Sequence, residues 1–123
     1  AADYEVFHLK EGESEPVKLS VTGVPSDVLC FSGNGFEVNG KIGITMAQST
    51  EDSGPVCMAV FSLSGTDLIC EKIIENTYAA SYVYGKDPET GVYWYYGDSG
   101  TCTKTSNALC SFDGSSVFEQ SLP

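Results

Sequence analysis

Val17-Lys18-Leu19-Ser20-Val21-Thr22 is the stretch whose reading decides the fold class, because Val17, Leu19 and Val21 project to one side of an extended chain and Lys18, Ser20 and Thr22 to the other. Successive side chains of a strand point to opposite faces, so a period of two marks a strand with one buried and one wetted face. Ile42, Ile44 and Met46 repeat the pattern. Outward from these two segments, turn chemistry recurs every eight to twelve residues or so, the spacing of an all-β sandwich or barrel. Gly33-Asn34-Gly35, Asn39-Gly40, Ser64-Gly65, Asp87-Pro88-Glu89-Thr90-Gly91 and Asp113-Gly114 all supply residues that tolerate positive φ. Strands are expected near residues 4–10, 17–22, 28–32, 41–47, 56–63, 68–74, 78–84, 92–96, 108–112 and 116–121. Between Leu68 and Asn76, the placing of Ile69, Ile73, Lys72 and Asn76 also fits a two-turn helix; strand is the reading adopted. The expected architecture is all-β, an antiparallel barrel or sandwich of about eight to ten short strands stapled by disulfides. A single domain is expected over residues 1–123.

Composition narrows the partners. Seventeen acidic side chains against six lysines and no arginine leave a formal charge of -11. Such a chain opposes phosphate backbones and lacks the side chain that grips phosphate bidentately, which excludes nucleic-acid binding. The same charge excludes docking on anionic membranes. No apolar run approaches the roughly 18 residues that a spanning helix needs. Apolar and charged fractions of 41% and 19% are those of a globular chain, so the charge serves solubility.

Five cysteines with His8 as the only imidazole, and no C-x-x-C pair, point to disulfides and an oxidising, exported environment instead of a metal site. The opening Ala1-Ala2-Asp3 fits a mature form whose secretory peptide has been removed. Any four of the cysteines allow three connectivities. Proximity favours Cys102 with Cys110, around a short Ser-Asn turn, and Cys57 with Cys70, flanking Ser64-Gly65; Cys30 is then the odd cysteine, a buried thiol or the handle of a dimer. A monomer or weak dimer is expected.

Motifs that suggest catalysis do not hold together. Gly97-Asp98-Ser99-Gly100 reproduces the tetrapeptide around the nucleophile of trypsin-like proteases, yet His8 is the only candidate base and sits in Val6-Phe7-His8-Leu9, the wrong context. Asp52-Ser53-Gly54 and Asp98-Ser99-Gly100 repeat the tripeptide of aspartic proteases without its hydrophobic flanks. Both copies read as turns. The acidic run Glu11-Gly12-Glu13-Ser14-Glu15-Pro16 reads as a solvated hairpin loop, lacking calcium-ligand spacing. No catalytic residue, metal or cofactor is implied. The distinctive feature is aromatic: Tyr78, Tyr82, Tyr84, Tyr93, Trp94, Tyr95 and Tyr96 fall on two strands joined by one turn. With a period of two, Tyr82 with Tyr84, Tyr93 with Tyr95, and Trp94 with Tyr96 share faces. The exposed members of Tyr82, Tyr84, Tyr93, Trp94, Tyr95 and Tyr96 form the candidate binding surface, for a sugar ring or a protein partner, with core packing as the plain alternative.

Several motifs carry a family likeness. Asp3-Tyr4-Glu5-Val6 opens the chain and Leu19-Ser20-Val21-Thr22-Gly23 ends the early hairpin; Cys57 and Cys70 are followed by Glu71, Cys102 and Cys110 stand late, and Ser121-Leu122-Pro123 closes. In these the chain resembles small secreted fungal protein elicitors, the hypersensitive-response-inducing proteins, and more distantly the β-barrel family of the Alternaria major allergen. The likeness covers both ends and the cysteine frame, about half of the chain, while residues 25–48 have no counterpart and Cys30 departs from the two-bridge frame. It implies a non-enzymatic protein of the host apoplast, perceived by a plant cell-surface component or receptor, triggering defence responses and cell death and contributing to virulence. Two other readings stand beside it: a module that binds wall polysaccharide through the tyrosine-rich hairpin, and a proteinase inhibitor presenting the loop from Cys102 to Cys110.

Overall fold

The computed structural model describes residues 5–9, 12–48, 54–99, 104 and 106–122, with the backbone alone described for residues 30–34. Ten strands run in chain order: β1 Val6–His8, β2 Val17–Thr22, β3 Cys30–Val38, β4 Lys41–Ala47, β5 Val56–Ser64, β6 Asp67–Ile74, β7 Ala79–Lys86, β8 Tyr93–Asp98, β9 Ala108–Phe112 and β10 Val117–Ser121. Residues 67–74 are therefore strand and not helix. The chain is all-β, with no α-helix among the described residues.

The strands form two sheets, a six-stranded one in the order β1-β2-β6-β5-β4-β3 and a four-stranded one in the order β10-β9-β8-β7. Neighbours are antiparallel except β2 and β6, which run parallel from Ser20 opposite Asp67 to Thr22 opposite Ile69. The arrangement is the expected antiparallel one with this parallel pair as a local departure. The Ser20 amide donates to the Thr66 carbonyl at 2.8 Å where the parallel pair begins.

β5 is buried on both faces, and its alternation divides the core. Cys57, Ala59 and Phe61 join Leu19, Val28, Ile44, Met46 and Leu68 inside the curl of the six-stranded sheet, a half-barrel. Val56, Met58 and Val60 turn the other way, towards Ala79, Ala80, Tyr95, Ala108, Cys110 and Phe112 of the four-stranded sheet. A strand covered on both sides needs a continuous apolar run, and Val56-Cys57-Met58-Ala59-Val60-Phe61 is one. Phe36 of β3 stitches the sheets together, stacked on Tyr95 at 5.0 Å and on Tyr93 at 5.6 Å between centroids. Gly43 of β4 lets them approach: a Cβ there would lie 2.7 Å from the Phe112 ring.

Two expected turns behave differently from one another. Asn39 and Gly40, with φ of 51° and 79°, make the tight two-residue hairpin between β3 and β4. Gly33-Asn34-Gly35, read as a turn, instead lies within β3, so the strand expected at residues 28–32 begins later and runs to Val38. Between Phe31 opposite Met46 and Gly35 opposite Ile44, three residues of β3 face one of β4. Glycine and asparagine serve a bulge as readily as a turn, which is why local composition does not separate the two. Similarly, β8 extends through Gly97 and Asp98, where a turn was expected. A Cβ at Gly97 would sit 2.7 Å from both Cys110 Sγ and Tyr78 Cβ, so this glycine serves close packing.

Candidate functional site

The aromatic hairpin separates into an inner and an outer set. On β8, Tyr93 and Tyr95 face the core, and Tyr95 is fully buried. Burial, reinforced by the neighbouring Cys110 sulfur and the Glu119 carboxylate, pushes the Tyr95 phenol far above the ordinary tyrosine range. Lys86 lies over the Tyr93 ring at 5.9 Å from its centroid. Of these two expected members of a binding surface, Tyr95 lies wholly in the core and Tyr93 packs against it half-buried. Trp94 and Tyr96 alternate to the opposite face, where Tyr96 pairs with Tyr82 on one side and Leu109 on the other. Tyr78, just before β7, is also buried, with Lys104 over its ring.

Two bulges expose the β7 tyrosines. Ala80 pairs with Gly97 and Tyr82 with Tyr96, so Ser81 is an extra residue in β7; without it Tyr82 would share the inward face of Ala80. With it, Tyr82 stands out, and Tyr84 is itself the extra residue of a second bulge, between Val83 opposite Tyr95 and Gly85 opposite Trp94; the two are 62% and 56% exposed, their rings edge to face at 5.4 Å. The outer face continues onto β9 and β10, where Ser111 lies between Trp94 on one side and Phe118 on the other. Phe118 escaped the sequence reading, although its place in the strand expected at residues 116–121 is the signal that marks it.

Trp94 and Phe118 lean together over the buried Ser111, ring centroids 6.2 Å apart at 71°. Beside them opens a groove of about 580 Å³, rimmed by Asp87, Thr90, Asp113 and Ser116. Both rim loops are tied by their own side chains. Asp87 Oδ1 accepts the Glu89 amide at 2.9 Å and Thr90 Oγ1 the Val92 amide at 3.3 Å. Asp113 Oδ1 accepts the Ser115 and Ser116 amides at 2.9 and 2.7 Å, and the two serine hydroxyls also donate to this carboxylate. Those amides hold the Asp113 carboxyl down to about 2. The arrangement can stack against flat apolar edges and exchange hydrogen bonds.

The other singled-out residues do not converge. Ser99, of the protease-like tetrapeptide, donates its hydroxyl to Asn107 Oδ1 at 2.8 Å, while His8 lies on β1 in the other sheet. Asp52 and Ser53 lie outside the described residues. The expected bridge between Cys57 and Cys70 is absent, and both are free thiols. Register is the reason: Cys70 pairs with Phe61, four residues along β5 from Cys57. That is about 13 Å along the strand, whereas bridged Cα atoms lie within about 7 Å. Burial, then the nearby Asp27 carboxylate, pushes the Cys57 thiol up to about 12, and burial likewise raises Cys70. Cys110 is buried beside Tyr95. Its expected partner Cys102, the Cys30 side chain and most of the loop between Cys102 and Cys110 lie outside the described residues.

Comparison of the chain with protein-family models, with curated proteins and with solved structures found no match.

Proposed function

We propose that this chain is a non-enzymatic, secreted fungal elicitor, perceived by a plant cell-surface component in the apoplast, where it triggers defence responses and hypersensitive cell death and contributes to virulence. Its recognition surface is the outer face of the four-stranded sheet. The observation that carries this assignment is the concentration there of exposed large rings, Tyr82, Tyr84 and Phe118, next to Trp94. Large exposed aromatic groups gathered on one sheet face mark contact surfaces, because they give rigid apolar area with a polar tip at small entropic cost. The resemblance of the two ends of the chain to fungal elicitors is what suggests the biological setting.

Infiltration of folded protein into leaves tests the proposal. Wild-type protein is expected to raise defence responses, and a Tyr82→Ala/Tyr84→Ala variant, checked for an unchanged fold, is expected to lose most of them. A silent leaf at micromolar wild-type protein overturns the elicitor assignment. An undiminished response to the double variant moves recognition to another surface.

A further inference from the structure

The groove beside Trp94 and Phe118 has a composition that selects among ligands. Its apolar walls are the Trp94 and Phe118 rings together with Val92 and Val117, and the negative ring faces attract positively polarised C–H edges. Thr90, Ser111 and Ser116 line it with hydroxyls that donate and accept, and Asp87 adds an acceptor. A purely apolar ligand would leave unused the hydrogen-bonding capacity these groups keep beyond the Thr90–Val92, Ser116–Asp113 and Asp87–Glu89 bonds. An anionic ligand would meet Asp87 and Asp113, with no lysine among the lining residues, on a chain of net charge -11. An organic cation would meet Asp87 and Asp113 beside the two rings, which makes it the competing occupant, but it would leave the Thr90, Ser111 and Ser116 hydroxyls little used. A neutral ring with apolar C–H faces and an equatorial belt of hydroxyls engages both the rings and the hydroxyls.

We propose that this groove binds a neutral saccharide, in the pyranose units of a wall glycan, with one sugar ring against Trp94 and Phe118. The volume of about 580 Å³ is that of a small-ligand site. Tyr96, Tyr82 and Tyr84 continue the same face beyond it, so the surface extends to an oligosaccharide. The inference deepens the assignment of the outer face as a recognition surface and rests on that reading.

Trp94 is the only tryptophan, so its emission reports the groove directly. Full-length protein is titrated with hexasaccharides of cellulose, xylan and chitin, and in parallel with choline and arginine. A saturable emission change is expected with at least one hexasaccharide. Phe118→Ala should weaken it at least tenfold and Thr90→Val several-fold, whereas Phe7→Ala, at an exposed site on β1 of the other sheet, should leave it unchanged. No saturable change with any hexasaccharide, or a change with choline or arginine alone, overturns the proposal, as does equal weakening by Phe7→Ala. Leaf infiltration with the same samples separates the two assignments. A leaf response with flat titrations removes the saccharide and keeps the elicitor; saturable binding with silent leaves does the reverse.

Discussion

Asp113 closes the turn between β9 and β10 at the rim of the groove, and replacing it with asparagine tests how much one carboxylate contributes there. Its oxygens accept the Ser115 and Ser116 amides and both serine hydroxyls, at 2.7 to 3.2 Å. The carboxyl titrates at about 2 in the folded chain against an ordinary value of 3.8. At about 1.4 kcal/mol per pKa unit, that depression corresponds to an upper limit of about 2.5 kcal/mol. The side chain is largely exposed, and solvent screening reduces the contribution to about 1 kcal/mol. The folded pKa lies below the unfolded one, so this stabilisation is fully present above about pH 4 and is lost as pH falls through about 2. Asp113→Asn keeps an amide oxygen for the turn but carries no charge. Urea unfolding of both proteins at several pH values between 7 and 2 should show the variant about 1 kcal/mol less stable at pH 7, with the gap closing towards pH 2. Other carboxylates titrate in the same window, but they titrate in both proteins and cancel in the difference. A gap that stays constant, or widens on acidification, would refute the reasoning.

Three further outcomes are expected. Gly43→Ala places a methyl 2.7 Å from the Phe112 ring and 3.0 Å from Met58 Sδ, and overpacking of that kind should lower stability by about 1–3 kcal/mol in thermal or urea melts. Tyr95→Ala, which empties a fully buried site, should cost about 3–5 kcal/mol, whereas Tyr82→Ala should fall within about 0.5 kcal/mol of wild type; comparable losses would contradict the inner and outer division. Cys57, buried and with its thiol pushed up to about 12, should resist alkylation at pH 8 in the folded protein and react on unfolding, as read by mass spectrometry of peptides; rapid native labelling would count against its placement inside the half-barrel.

Much of the strand inventory was legible. The segments 17–22, 41–47 and 108–112 have the bounds expected of them, because side-chain alternation is a local property of extended backbone. The sets Tyr93 with Tyr95 and Trp94 with Tyr96 likewise follow from period two alone. Less was legible where glycine intervened. Gly33-Asn34-Gly35 carries turn chemistry, yet β3 passes through it because β4 lies alongside to pair with a bulged strand. Cys57 and Cys70 flank a turn almost symmetrically in sequence, and proximity suggested a bridge. The pairing that follows from Ser64 opposite Asp67 puts Phe61 opposite Cys70 instead, so hairpin register and not sequence distance governs which side chains meet.

By itself the sequence determined the all-β class, the positions of most strands, the tight hairpin at Asn39-Gly40 and the chain's strong negative charge. Each of these depends on residue type and nearest neighbours along the chain. Only the tertiary structure decided which face of the aromatic strands turns inward, the parallel pairing of β2 with β6, and the meeting of Trp94 with Phe118 across β9. It also decided that one extra residue, Ser81, turns Tyr82 outward to solvent. These features arise from contacts between residues distant in sequence, where the burial of Phe36, Tyr95 and Phe112 between two sheets outweighs local preference. The open aromatic face is what that packing leaves on the other side.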